Sequence, residues 1–199
     1  SVCKFNAILW TEDNGFTYPQ IDIAKCVDCG MCKKICQELR NKRVDLKESQ
    51  CYAAYDINLS ERMKASSGAA FGVLARKVLN DGGIVCGAAW TEENCVEHII
   101  VEHESELERL YCSKYVQSRI SSWIYRQIQV AIAKGKTVLF SGTPCQCDAL
   151  ATVIGANKGK LIIIDMICYC IPSTFFFKKY IESKECIQGS KIVFYNFRD

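Results

Sequence analysis

The sequence predicts an α/β fold, with a mostly parallel sheet and flanking helices, preceded by a small α+β segment. Beyond residue 48, short apolar stretches alternate with amphipathic helical stretches, which is typical of parallel sheets. The first 47 residues instead carry a dense run of cysteines that leads into a charged stretch. We therefore predict two domains, residues 1–47 and residues 48–199.

Turn and capping signals divide the α/β portion into elements. Ile124, Ile128 and Ile132 fall on one helix face, and Gly135 follows as a stop signal. Ser173 is a good N-cap for the last helix. The predicted helices are 67–79, a short one near Glu106, 122–133, 144–154 and 173–183. The predicted strands are 51–54, 84–89, 96–101, 137–140, 161–167 and 192–197.

Composition excludes some classes of protein. A net charge of +3 is too small to indicate a nucleic-acid partner. The apolar runs 161–164 and 166–171 are split by Asp165 and ended by Pro172, so neither approaches the ~20 residues of a membrane helix. The chain has 14 cysteines, no signal peptide at its visible start and the spacing of cluster ligands. These features favour a reducing compartment, and we predict a cytoplasmic protein.

A run of four cysteines is the most specific motif. Cys26, Cys29, Cys32 and Cys36 have the C-x2-C-x2-C-x3-C spacing of bacterial 4Fe-4S ferredoxins. Gly30 permits a positive φ, which lets the short loop wrap a cubane. A zinc site usually divides its thiols into two separated pairs, and buried structural cysteines have no reason to fall at this spacing. We therefore predict a 4Fe-4S cluster and an electron-transfer role.

The sequence leaves the fourth ligand open between Cys3 and Cys36. In two-cluster ferredoxins the last cysteine of a run ligates the other cluster. Residues 3–8 resemble the segment that closes a first ferredoxin run, and residues 13–19 resemble the linker hairpin. On this interpretation Cys3 completes the cluster of the first three run cysteines, and Cys36 serves a second cluster. The chain would then begin inside the first motif, and its end shows no terminating signal.

Two turns before helices are candidates for phosphate binding. The turn 141–144 (SGTP) follows a predicted strand, and the turn 66–68 (SSG) precedes the first long helix. Such turns aim backbone amides and a helix N-terminus at a ligand above the sheet. Glycine and an early proline are also common in turns that bind nothing. A nucleotide or flavin is the natural ligand on the first interpretation.

The chain resembles the coenzyme F-420 hydrogenase/dehydrogenase beta-subunit family. The motifs that carry the resemblance are 65–71 (ASSGAAF, similar to the family's S-S-G-G-x-F), 87–90 (GAAW), 113–118 (SKYVQS), 142–146 (GTPCQ), and 165–168 (DMIC) running into 171–173 (IPS). The resemblance implies an iron-sulfur flavoprotein oxidoreductase, with FAD beside 4Fe-4S clusters. The implied flavin contacts are Ser66, Ser67, Gly68, Lys114, Gln117, Gly142 and Thr143.

The same resemblance implies that electrons pass between the clusters and FAD, and on to a deazaflavin-type or other carrier or substrate. The expected partner is a redox protein or a reduced carrier, such as ferredoxin, a deazaflavin or a nicotinamide. The alternative is an electron-relay or docking subunit of a larger redox complex, without substrate chemistry of its own. Ala69 stands where the family has its second glycine, and Tyr169-Cys170 stands where many members have His-Gly.

Further thiols are candidate redox groups or metal ligands. Cys145 lies in the first turn of a predicted helix, where the helix dipole stabilises a thiolate, and Cys168 follows the next predicted strand. If the two strands are parallel neighbours, Cys145, Cys147, Cys168 and Cys170 would share one sheet edge and could hold another cluster or form a dithiol. The alternative is that these cysteines are buried or incidental. The two histidines, His98 and His103, are predicted to be surface or core residues rather than catalytic ones.

Overall fold

The computed structural model describes residues 3–36, 39, 49–155, 158–193 and 197. These belong to two compact units, Ser1–Cys51 and Tyr52–Asp199. The domain boundary that we predicted between residues 47 and 48 lies outside the described residues, as do residues 194–196 of the predicted last strand.

The N-terminal unit contains an antiparallel hairpin of strands β1 (Ile8–Asp13) and β2 (Phe16–Ile21), followed by the short helix α1 (Met31–Ile35). Asn14 and Gly15 form the two-residue turn, with φ values of 51° and 80°. Asn-Gly is the preferred pair for such a turn, because both central residues need a positive φ. The predicted hairpin is confirmed.

The C-terminal unit is built on a five-stranded sheet, which confirms the α/β prediction. Its strands are β3 (Ile84–Trp90), β4 (Val96–Val101), β5 (Ser118–Arg119), β6 (Val138–Gly142) and β7 (Leu161–Asp165). Their spatial order is β5-β4-β3-β6-β7. Three of the four neighbouring pairs are parallel, and β3 with β4 is antiparallel.

Helices flank this sheet, and two of them, at 122–133 and 144–154, have the predicted bounds, whereas the helix at 59–63 was not predicted. The helices are α2 (Leu59–Met63), α3 (Ala70–Asn80), α4 (Ser122–Ala133), α5 (Pro144–Ile154) and α6 (Thr174–Gln188), with 3-10 helices at Glu104–Leu110 and Lys158–Lys160. Thr143 and Gln146 cap α5 reciprocally, and Ser173 Oγ accepts a hydrogen bond from the Phe176 N–H (3.2 Å) at the start of α6. Within the described ranges, every helix is too short or too polar to cross a bilayer.

The core lies on both faces of the sheet, because successive strand residues point to opposite sides. Val85 and Leu139 pack with α3 on one face. Their neighbours Cys86 and Phe140 pack with α4 and α5 on the other. All four side chains are fully buried. The central strands are thus apolar on both sides, as expected for strands covered by helices.

The predicted strand 51–54 is wrong. Residues 51–55 are exposed and have no strand partner. Their backbone instead meets the turn before α3: the Asp56 N–H donates to the Gly68 carbonyl (2.7 Å), and a Cβ on Gly68 would lie 2.4 Å from the Ala54 carbonyl oxygen. Gly68 therefore permits a close backbone approach. The predicted last strand, 192–197, is also wrong at its start, because residues 192 and 193 have no regular structure.

A partly buried group of charges holds this segment to helix α3. Arg76 on α3 pairs with Asp56, pairs with Glu61 at 3.2 Å and donates to the Tyr111 hydroxyl at 3.0 Å. Asp56 is only 4% exposed. The backbone N–H of Asn58, and then Arg76, lower the pKa of Asp56. Asp56 therefore stabilises the fold above the ordinary carboxyl pKa, and this stabilisation is lost as the pH falls through the lowered value.

We expect Asp56→Asn to destabilise the protein. The amide keeps the shape of the carboxylate but leaves the half-buried Arg76 with Glu61 as its one counter-ion in the described part of the chain. The melting temperature at pH 7 should fall by several degrees, measured by circular dichroism. Lys77→Met on the same helix is the control, because its pair with Asp81 is exposed (73% and 54%) and such pairs contribute little. Equal melting temperatures for the two variants would contradict the assignment.

Candidate cofactor-binding site

A cavity of about 310 Å³ opens at the carboxyl edge of β6 and β7. The end of β6 with Thr143 after it (141–143), and the residues that follow β7 (166–171 except Ile167), line one side of it. Its other walls come from the turn before α3 and from the segment after the 3-10 helix Glu104–Leu110. Ligands of open α/β sheets bind in such crevices beyond the strand ends, and the volume lies within the usual range of small-molecule sites.

Of the seven flavin contacts implied by the family resemblance, Ser66, Lys114, Gly142 and Thr143 line this cavity. The other three lie outside its lining: Gly68 faces the backbone of Ala54 and Tyr55, Ser67 turns the chain with a φ of 56°, and the Gln117 N–H donates to the Pro172 carbonyl (3.3 Å). These three residues therefore shape the backbone next to the cavity.

The turn 141–144 offers fewer backbone donors to a ligand than the sequence suggested. The Thr143 N–H already donates to Gln146 Oε1 (3.0 Å), the Thr143 side chain accepts from the Gln146 N–H, and Pro144 has no N–H. A Cβ on Gly142 would meet the Phe140 ring at 2.9 Å and Gln146 Oε1 at 3.1 Å. Local packing therefore explains this glycine without any ligand.

Ala69 has the left-handed backbone that suits a glycine. Its φ is 58°, it is only 4% exposed, and it is the N-cap of α3. Residues other than glycine pay roughly 1–2 kcal/mol for this conformation. The second glycine of the S-S-G-G motif, which the family resemblance leads one to expect, would relieve that cost. Ser66 Oγ accepts from the Ser113 N–H (3.2 Å), so the turn is also held to the opposite wall.

Lys114 places a cation in the cavity wall. Its Nζ donates to the backbone carbonyls of Tyr111 (2.8 Å) and Cys112 (3.2 Å). Among the described residues, no carboxylate forms an ion pair with it. Burial lowers the pKa of Lys114 to about 8. At pH 7 the ammonium is therefore still charged, although burial disfavours the charge. An anionic ligand beside it would offset this cost of burial.

His98 is a cavity residue that the sequence analysis did not identify. Its ring is 4% exposed and stacks on Phe140 with centroids 5.2 Å apart. Nδ1 lies 2.5 Å from Ser118 Oγ, and Nε2 lies 3.1 Å from the Ser141 carbonyl oxygen. Burial, and the charge of Lys114, lower the pKa of His98 to about 4, so the ring is neutral at pH 7. The sequence analysis left His98 open between a surface and a core position, and the structure places it in the core, where its ring also lines the cavity.

The cysteines after β6 and β7 do not all share one environment. Cys168 and Cys170 are exposed and line the cavity. Cys145 is exposed, with its Sγ 3.1 Å from Thr143 Oγ1, and lies outside the cavity lining. Cys147 is buried, donates to the Gly142 carbonyl (3.5 Å), and has a pKa raised to about 12 by burial.

The expectation that these four sulfurs share one sheet edge is therefore wrong for Cys147, which points into the core. In the described part of the chain, no three His, Cys, Asp or Glu side chains gather closely enough to hold a metal ion. Cys145 and Cys168 remain candidate redox or ligand thiols by prediction alone.

The N-terminal cysteines provide the donors that an iron-sulfur cluster uses. Cys26 and Cys29 are exposed, Cys32 lies on α1, and Cys36 follows it. Gly30 between them has the predicted positive φ, 69°. Cys3 Sγ accepts a hydrogen bond from the Ala7 N–H (3.3 Å), and such bonds tune cluster sulfurs. The thiols fit the group chemically, and the cluster stays a prediction from their spacing.

No protein-family model matches the chain, and no curated protein is similar to it. One solved structure that is similar is a xenon-derivatised F420-reducing [NiFe] hydrogenase complex from Methanosarcina barkeri. The identity to a chain of that complex is 16%, and the TM-score is 0.54. The match covers 64% of this chain and 47% of the solved chain, so it spans about half of that chain's length. The likeness is one of fold.

We expect Ala69→Gly to be tolerated or stabilising. Glycine adopts the positive φ freely, so the free energy of unfolding should stay the same or rise by up to about 1 kcal/mol. The control is Ala149→Gly in the interior of α5, which should lower it by about 1 kcal/mol. Urea unfolding measures both. Equal losses would show that the left-handed conformation at residue 69 carries no cost.

Proposed function

We propose that this protein is an iron-sulfur flavoprotein oxidoreductase, similar to the coenzyme F-420 hydrogenase/dehydrogenase beta subunits. In this proposal Cys26, Cys29 and Cys32 hold a 4Fe-4S cluster with Cys3 or Cys36, and the cavity of the C-terminal unit binds FAD. Electrons pass between the two groups and on to a deazaflavin-type or other carrier. A redox protein or a reduced carrier, such as ferredoxin, a deazaflavin or a nicotinamide, is the partner.

One observation carries the proposal. The chain joins a ferredoxin-type ligand run to a separate α/β unit whose cavity holds a cation without a carboxylate partner among the described residues. Thiolates at this spacing suit a one-electron cluster. A half-buried ammonium at the carboxyl edge of a parallel sheet suits an anionic cofactor. The fold likeness to a chain of a hydrogenase complex supports a redox role and a protein partner.

Each wall of the cavity would contribute differently to binding. Lys114 would hold the anionic part of the cofactor, since its Nζ has three donors and, among the described residues, two carbonyl partners. Phe71, Leu110 and Val116 line the cavity and would exclude water from the bound ring. FAD, when bound, supplies the exchange between an electron pair and single electrons.

The cluster ligands are tested by iron content. Anaerobically reconstituted protein should bind iron and sulfide, and Cys26→Ser, Cys29→Ser and Cys32→Ser should each remove about one cluster, because an alcohol is a poor substitute for a thiolate ligand. Cys95→Ser, outside the run, should leave the iron content unchanged. Iron content unaffected by all three run variants would refute the cluster. Comparing Cys3→Ser with Cys36→Ser identifies the fourth ligand, and the ferredoxin interpretation expects the greater loss from Cys3→Ser.

The flavin site is tested by the affinity for FAD. Loss of the charged hydrogen bond in Lys114→Met should raise the Kd about tenfold or more at pH 7. An anion favours the charged lysine, so wild-type affinity should weaken as the pH rises through about 8, whereas the variant should show no such change between pH 7 and 9. Fluorescence quenching of FAD measures both. The exposed Lys134→Met is the control.

A Kd that is the same in Lys114→Met and wild type would contradict the assigned role of Lys114. Wild-type protein that binds iron but no FAD would favour the electron-relay or docking subunit instead.

A further inference from the structure

The hydrogen-bond pattern around His98 determines where its proton lies. Nε2 faces the Ser141 carbonyl oxygen, which can only accept, so Nε2 must carry the hydrogen. A neutral imidazole has a single N–H, and Nδ1 is therefore an acceptor. Its neighbour is Ser118 Oγ, which has one hydrogen to give. The Ser118 hydroxyl thus donates to His98 Nδ1. The Ser141 carbonyl fixes the tautomer of the ring, and the tautomer in turn fixes the direction of the Ser118 O–H.

Ser118 is held from a second side as well. It pairs with Val96 across β5 and β4, and its carbonyl accepts a hydrogen bond from Gln146 Nε2 (3.2 Å). Ser118 and His98 both line the cavity. Because the only hydroxyl hydrogen is used by Nδ1, the oxygen of Ser118 can offer the cavity lone pairs but no donor.

The cavity therefore has two chemically opposite positions. Lys114 offers donors and a positive charge, which suit phosphate or carboxylate oxygens. Ser118 offers only the lone pairs of its oxygen, which would repel phosphate or carboxylate oxygens. A ligand that satisfies both carries an anionic group and, elsewhere, a hydrogen-bond donor such as an N–H.

We propose that His98 is a positioning residue that locks the Ser118 hydroxyl as a hydrogen-bond acceptor, so that the cavity selects ligands with an N–H donor at that point. The imide N–H of a flavin ring is such a donor, and this choice of ligand rests on the proposed function. Ser118 is on this view a specificity-determining residue for a ring imide.

The first experiment needs no ligand. In protein labelled with ¹⁵N-histidine, the two side chains give separate ring signals, and His98→Asn identifies that of His98. We expect a neutral ring with the hydrogen on Nε2 at pH 7. A hydrogen on Nδ1, or a doubly protonated ring, would overturn the inference whatever the cofactor is.

The second experiment compares the Kd of FAD with that of FAD methylated at the imide nitrogen. Wild-type protein should prefer FAD by about tenfold or more, because the methylated ring leaves the acceptor unsatisfied. In Ser118→Ala and His98→Leu the preference should fall towards one. His98→Asn should retain it, because the Asn side-chain oxygen can accept from Ser118. The exposed His103→Leu is the matched control and should keep the wild-type ratio.

The outcomes separate this inference from the proposed function. Tight FAD binding with no preference in wild type, or an equal preference in wild type and Ser118→Ala, would overturn the role of Ser118 alone. Failure of wild-type protein to bind either flavin would overturn the proposed function and the imide with it. Should His98→Leu not fold by circular dichroism, Ser118→Ala and His98→Asn still decide the question.

Discussion

The ion pair between Arg76 and Asp56 joins helix α3 to two irregular segments of the cavity wall. It joins α3 to the segment that leads into the Ser66 turn, and through the Tyr111 hydroxyl it also joins the segment that leads to Lys114. A Cβ on Gly72 would lie 2.9 Å from that hydroxyl, so a glycine lets the ring approach the helix. Buried ion pairs often add little net stability, because desolvation offsets their attraction. The contribution here is placement, since both walls are irregular segments that no strand or helix positions by itself.

The sheet topology supplies the other half of the site. The parallel strands β6 and β7 deliver their carboxyl ends to one edge, where Gly142 pairs with Asp165. Strand β4 runs the opposite way, and its pairing places His98 beside Ala88, near the carboxyl end of β3. Strands β4 and β5 both run opposite to β3, β6 and β7, and β4 therefore carries a mid-strand side chain to the edge where the loops meet. The buried ring then connects β4 to β5 through Ser118 and to β6 through the Ser141 carbonyl.

The parts of the fold that were predictable depend on local signals. Helices α4 and α5 have the predicted bounds because a stop glycine, an early proline and a capping pair mark their ends within a few residues. The missed features depend on distant partners. The apolar run 51–54 lacks a neighbouring strand, and the left-handed Ala69 directly follows Gly68, whose backbone meets Ala54 and Tyr55. The place of His98 in the cavity wall likewise depends on residues that are distant in the sequence. The one nearby indication is that His98 lies on the same face of β4 as the buried Val96.

The two C-x-C pairs look alike in sequence but lie on different kinds of backbone. In a helix, residues two apart point about 200° away from each other. The first turn of α5 therefore sends Cys145 outward and Cys147 into the core, where the thiol donates to backbone carbonyls and burial raises its pKa to about 12. Cys168 and Cys170 lie on irregular chain between β7 and α6, and both remain exposed on the cavity lining. The spacing of two cysteines therefore predicts whether their side chains point the same way only when the local backbone conformation is known. Burial therefore sets Cys147 apart, whereas Cys145, Cys168 and Cys170 are exposed.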